Sequence, residues 1–280
     1  MIKNIIFSGG GFKGITYIGC IKALEEYNFL NNIENYCGTS VGSIFATLIY
    51  INMSYKEIYD IFINFDFTKG LTFDTENIIN FFDNYGLDDG TNYINIFRTI
   101  ISKKLKIDFN KNITFIELYN IFKKKLIITG VCVNNYTCEY FDYINTPYMS
   151  IYTAIQISSA IPIFFKPVNY NDKLYIDGGA SNNFPIEIFI NDLENTIGFE
   201  IFMLNKKENI NNFIDYFFKV CLCKNFSDSE KNLSYHKYYI KLLNINIDII
   251  DVKISYEKRI NAINYGYEIT KKYIQTRYRI

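Results

Sequence analysis

The chain has a single histidine, His236, and its six cysteines (Cys20, Cys37, Cys132, Cys138, Cys221 and Cys223) include no C-x-x-C spacing. That combination lacks the ligand pattern of a Cys/His zinc site, and free thiols in a reducing compartment are the expected state. A Ser-His-Asp triad would have to use His236, which sits in NLSYHKYYI, far from any glycine turn. Net charge is also absent, since 29 basic residues balance 29 acidic ones. A nucleic-acid partner is therefore not expected, because phosphate backbones demand a concentrated positive field. The short runs Lys103-Lys104 and Lys123-Lys124-Lys125 are read as solvated surface. No stretch of about 18 uninterrupted apolar residues appears, so no membrane-spanning helix is expected. The N-terminal MIKNIIFSGGG lacks a full signal-peptide core and cleavage site and is read as a first strand. There is no internal repeat, linker or composition shift, which points to one domain.

What is present is a chain of 280 residues, 49% hydrophobic, large enough for a sizeable core. Ile2–Ser8 reads as a buried strand with a glycine exit, and the segment from Lys13 to Tyr27 carries apolar residues at helical spacing. A second strand ends near Cys37, and Ser43–Ile51 reads as a buried helix. This rhythm of strand, turn and helix implies an α/β fold with a mainly parallel central sheet flanked by helices. Residues 55–122 read as mostly helical. Their aromatics (Tyr59, Phe62, Phe65, Phe81, Phe82 and Phe97) are read as core packing, with a lid or interfacial face as the alternative. Leu126–Val133 and Cys138–Tyr143 read as a hairpin about Asn134-Asn135, and further strands are expected at Lys173–Ile176, Thr196–Met203 and Ile245–Val252.

Three short motifs carry the chemistry. Gly38-Thr39-Ser40-Val41-Gly42 fits the G-x-S-x-G elbow, which exposes a serine on a sharp strand-to-helix turn. Gly9-Gly10-Gly11, ahead of a helix, can aim successive N–H groups into one space and hold an anion. The same loop matches G-x-G-x-x-G through Gly14, so a dinucleotide-binding oxidoreductase is an alternative. The acidic residue that fingerprint needs at the end of the second strand is missing. Asp177 closes a strand in LYIDGGASNNFP, before Gly178 and Gly179, and is the candidate base; an ordinary Asp-Gly turn is the plainer reading.

In this order the three motifs resemble those of the patatin-like phospholipases. SSAIPIFFKPV (Ser158–Val168) and Asn183-Phe184-Pro185-Ile186 are similar to that family's segments on either side of the aspartate. The resemblance covers roughly residues 2–205 and is specific in its motifs. It is weak over residues 55–125 and beyond about 205. It implies a patatin-like catalytic region at 2–205; the remaining residues, 206–280, alternate helical patterns with one strand-like piece and are expected as a C-terminal helical extension packed on the same domain. It also implies a lipid acyl hydrolase acting through an acyl-enzyme without metal or cofactor, with Ser40 as nucleophile, Asp177 as base, and Gly10 and Gly11 as oxyanion donors. The substrate it implies is a phospholipid or other acyl-ester lipid, met by a cytoplasmic protein in peripheral contact with a membrane surface. Gly179 departs from the alanine common in that family. A non-catalytic lipid-binding scaffold is the second alternative.

Overall fold

The computed structural model describes residues 1–71, 81–202, 232–243, 245–249 and 251–279, with positions 210, 216 and 220. Its strands are β1 (Asn4–Phe7), β2 (Asn35–Gly38), β3 (Gly86–Asp88), β4 (Lys125–Cys132), β5 (Thr137–Phe141), β6 (Ile163–Phe165), β7 (Val168–Tyr170), β8 (Lys173–Asp177), β9 (Thr196–Ile201) and β10 (Tyr239–Leu242). Its helices are α1 (Tyr17–Glu26), α2 (Val41–Tyr50), α3 (Tyr55–Phe62), α4 (Phe81–Asn84), α5 (Thr91–Leu105), α6 (Phe115–Phe122), α7 (Ile151–Ser158) and α8 (Tyr256–Tyr278). None of them is long and apolar enough to cross a membrane.

The main sheet runs β10-β9-β1-β2-β4-β8-β7, with β5 also on β4. β10, β9, β1, β2 and β4 are mutually parallel, and β5, β7 and β8 enter antiparallel. A parallel sheet is covered on both faces, which is why β1 reads as a continuous apolar run with Ile5, Ile6 and Phe7 fully buried. The α/β expectation holds, with a mainly parallel sheet flanked by helices.

β4 organises the site. One of its edges pairs with β5 from Ile128 to Cys132. The other edge pairs first with β2, up to Ile128 opposite Gly38, and then with β8, from Gly130 opposite Asp177. Because β5 already fills one edge at these levels, β8 lies in the lane that β2 has just left. The chain turns out of that lane at Thr39, and β8 comes down it from the other direction, ending at Asp177.

The region beyond β9 completes the fold differently from the sequence expectation. The strand there is Tyr239–Leu242, which extends the sheet beside β9; residues 245–249, 251 and 252 form no strand. Leu242 satisfies the sheet edge with its carbonyl on the Phe202 amide, so the apolar Ile245 and Ile247 that suggested a strand serve as core instead. Residues 203–209, Cys221 and Cys223 lie outside the described residues. Helix α8 packs along α1, and its Arg259 (7% exposed) donates to the carbonyls of Ile254, Phe62, Ile63 and Phe65 at 3.1, 2.9, 3.2 and 2.6 Å. The carbonyls of Phe62, Ile63 and Phe65 end α3 and begin the loop after it, where helix-terminal oxygens have no intrahelical donors. One buried guanidinium thus fastens α8 to the segment that walls the site.

Candidate active site

Ser40 stands as N-cap of α2 with φ 53° and ψ −128°, a conformation rare for any residue but glycine. The flanking glycines make it possible. A Cβ on Gly42 would run into the Phe7 and Ser8 carbonyls, and one on Gly38 into the backbone of Gly42 and Ser43. The turn is pinned from several sides. Thr39 N–H donates to Phe7 O at 3.1 Å, and the Thr129 hydroxyl donates to that of Thr39 at 2.9 Å. Ser43 Oγ donates to Ser40 O at 2.6 Å, and Ser40 N–H donates to Ser158 Oγ at 2.9 Å.

Ser40 Oγ donates to Asp177 Oδ2 at 2.6 Å. The other carboxylate oxygen accepts from Gly179 N–H at 2.7 Å, and Asp177 N–H donates to Ala160 O at 3.0 Å. Ser40 is 6% and Asp177 5% exposed. Burial pushes the Asp177 carboxyl up from 3.8 to about 7, against the lowering effect of the hydrogen bonds from Ser40 and Gly179. Asp177 closes a strand, as expected; that strand is antiparallel to β4 and brings it to the serine by filling the lane vacated by β2.

The glycine loop meets the same place from β1. A Cβ on Gly9 would stand 3.0 Å from Ser40 Cβ, so the loop rests against Ser40. Asn183 ties loop and aspartate turn together: Gly9 N–H donates to Asn183 O at 3.3 Å, and Asn183 Nδ2 donates to Gly9 O at 3.3 Å. Gly11 takes φ 54° and lies against Ile249, whose carbonyl accepts Phe12 N–H at 2.9 Å. Among the described residues the N–H groups of Gly10 and Gly11 have no acceptor. Gly14 packs on Val41 and Gly178 on Thr129; their role here is close packing.

Beside Ser40 opens a cavity of about 300 Å³, near the lower end of small-molecule sites. Its walls are apolar: Phe12 and Ile15 after the glycine loop, Phe62, Phe65 and Phe67 after α3, and Ile96, Phe97 and Ile100 on α5. The aromatics of residues 55–105 therefore divide, with Phe62, Phe65 and Phe97 facing this cavity while Phe82 is 84% exposed.

His236 is exposed in the 3₁₀ turn before β10, at the amino-terminal edge of the parallel strands; Ser40 follows the carboxyl end of β2. The sheet separates them. Among the described residues no three His, Cys, Asp or Glu side chains gather as a metal site requires. Cys20, Cys37 and Cys132 are buried free thiols. The sequence reading missed Ser158, Asn183, Tyr93 and Ile249 as site residues. Ser158 and Asn183 lay within recognised segments but carried no sign of their partners, and the other two lie where no motif was visible.

The family model of the patatin-like phospholipases matches residues 5–190. An uncharacterised protein of Acanthamoeba polyphaga mimivirus is 33% identical over 267 residues, covering 91% of this chain and 86% of that protein. A probable lipid hydrolase of Invertebrate iridescent virus 6 is 30% identical over 255 residues, covering 89% and 78%. Among solved structures, VipD from Legionella pneumophila superposes with a TM-score of 0.74 at 19% identity over 99% of this chain and 67% of that one. ExoU, in its complex with SpcU from Pseudomonas aeruginosa, gives 0.58 at 16% identity, and this chain spans 52% of its length.

Proposed function

This chain belongs to the patatin-like phospholipase family, and on that premise we propose that it is a lipid acyl hydrolase with Ser40 as nucleophile and Asp177 as its base. The observation that carries the reading is the 2.6 Å hydrogen bond from Ser40 Oγ to Asp177 Oδ2 at the edge of an apolar cavity. A nucleophile needs a base within hydrogen-bond reach, and the base needs a group that orients it. Gly179 N–H supplies that orientation.

Ser40 Oγ attacks the ester carbonyl carbon while its proton passes to Asp177. The N–H groups of Gly10 and Gly11 receive the resulting oxyanion, a stabilisation typically worth about 10²–10³ in rate per donor. The intermediate collapses with cleavage of the carbon–oxygen bond, and the proton on Asp177 goes to the departing alcohol. Water then attacks the acyl-serine, Asp177 takes its proton, and the fatty acid leaves as Ser40 regains a hydrogen. A carboxyl near 7 suits both directions of transfer, because it accepts and returns a proton at small cost. The apolar cavity takes the acyl chain, at about 0.8 kcal/mol per buried methylene. Phospholipid at a membrane surface is the proposed substrate, processed by the region 2–205, with α8 of the C-terminal extension packed along α1; most of residues 206–231 lie outside the described residues. The dinucleotide reading has nothing further to support it: Gly38 stands at the end of β2, where its acidic residue belongs.

The test is lipid-product mass spectrometry on wild type and Ser40→Ala, with a fluorophosphonate probe mapped by peptide. Fatty-acid release by wild type, label on Ser40, and loss of both in the variant are expected. Turnover retained at a tenth of wild type or more, less than about 1.4 kcal/mol of barrier, rules the assignment out.

A further inference from the structure

The cavity beside Ser40 is almost wholly lined by carbon, yet two further hydroxyl-bearing residues line it, Tyr93 on α5 and Ser159 just after α7. They are joined: Tyr93 Oη donates to Ser159 Oγ at 3.0 Å. The Tyr93 ring is held edge-on against Phe97, centroids 5.0 Å apart, and tilted against Phe165 at 5.6 Å, so its hydroxyl has a fixed aim. Burial, with Asp177 nearby adding to it, raises the phenol well beyond its ordinary range, so it stays a donor throughout the working pH range.

Ser159 is 6% exposed, and both its backbone groups are used, N–H to Ile155 O at 3.0 Å and C=O from Ile161 N–H at 2.8 Å. Its hydroxyl oxygen accepts from Tyr93, while its own proton has no acceptor among the described residues. A buried donor without a partner is costly, and a ligand oxygen would relieve that cost. Its place is informative. Ser158, one residue earlier, holds Ser40 N–H; Ala160, one residue later, holds Asp177 N–H. Ser159 therefore stands between the two anchors of the dyad, on the β4 side of Ser40, while the glycine loop arrives from β1.

We propose that Tyr93 and Ser159 form a hydroxyl relay that binds a second oxygen on the alcohol portion of the substrate, selecting esters of polyols such as glycerol over esters of simple alcohols. The proposal rests on the Ser40–Asp177 reading. A site that offers a hydrogen bond discriminates by leaving that group unpaired when the analogue lacks the oxygen.

The test compares two soluble or detergent-dispersed oleate esters, 1-monooleoylglycerol and ethyl oleate, on wild type, Tyr93→Phe and Ser159→Ala, with fluorophosphonate labelling of Ser40 in each protein. The ratio of kcat/KM for the glycerol ester to that for the ethyl ester falls about tenfold in each variant, the scale of one net hydrogen bond, while Ser40 still takes the label. Equal losses on both esters would mean a purely structural role and overturn the relay, as would an unchanged ratio in labelled enzyme. If wild-type Ser40 takes no label and Ser40→Ala still turns over, the dyad reading falls and the relay with it.

Discussion

Asp177→Asn removes the proposed base while keeping the shape of the side chain. The asparagine oxygen still accepts Gly179 N–H, and its amide faces Ser40 Oγ as a donor, so the only bond given up is the one in which the Ser40 hydroxyl donates to the carboxylate. Activity should drop at least about a hundredfold, the lower end of what general-base catalysis contributes. Stability should move the other way, and its sign follows from the raised carboxyl. The folded form binds the Asp177 proton more tightly than an unfolded chain does, so ionisation opposes folding. Below 3.8 the group is protonated in both states and costs nothing for this reason. As pH rises from 3.8 to about 7 the wild type loses stability, and above that the loss is complete. At 1.36 kcal/mol per pH unit the interval amounts to about 4 kcal/mol. The asparagine variant has no such loss. Urea denaturation of both proteins at pH 4 and pH 9 should show their stability difference shifting toward the variant by a few kcal/mol at the higher pH. The same group gives wild-type kcat/KM an acidic limb that rises through about pH 7. A difference that stays constant from pH 4 to 9, or an active asparagine variant, refutes the buried-base reasoning.

Three further outcomes follow from the geometry. His236→Gln should keep most esterase activity, because the sheet stands between that side chain and Ser40; a dead, folded variant measured by soluble-ester assay would demand a triad. Exhaustive EDTA treatment should leave turnover of a soluble ester within twofold of untreated enzyme, since the proposed mechanism polarises the carbonyl with backbone donors; a rate restored by added calcium on that substrate would contradict this. Arg259→Met should lower Tm markedly, because it leaves carbonyls of Phe62, Ile63 and Phe65 without their donor, at about 1–3 kcal/mol for each group left buried and unpaired. An unchanged Tm by calorimetry would show that the clamp contributes little.

Much of the site was legible because backbone geometry is written in residue type. A serine at φ 53° needs small neighbours, so Gly38 and Gly42 announce the elbow. The glycine loop and the Asp-Gly-Gly turn are equally local, and the scarcity of histidine already pointed to a carboxylate base. The apolar run of β1 likewise marked a buried strand. What the sequence left open is everything that depends on which edges meet. Asp177 touches Ser40 across 137 residues because β8 occupies the lane β2 abandons along β4, and strand direction and lane leave no mark on a five-residue strand. Ser158, Asn183 and Tyr93 acquire roles only through partners 118, 174 and 66 residues away, and a serine or asparagine looks the same with or without them. The mistaken strand at Ile245–Val252 has the same origin. Its Ile245 and Ile247 are buried, but hydrophobic pattern reports burial, and the open edge of β9 is taken by β10.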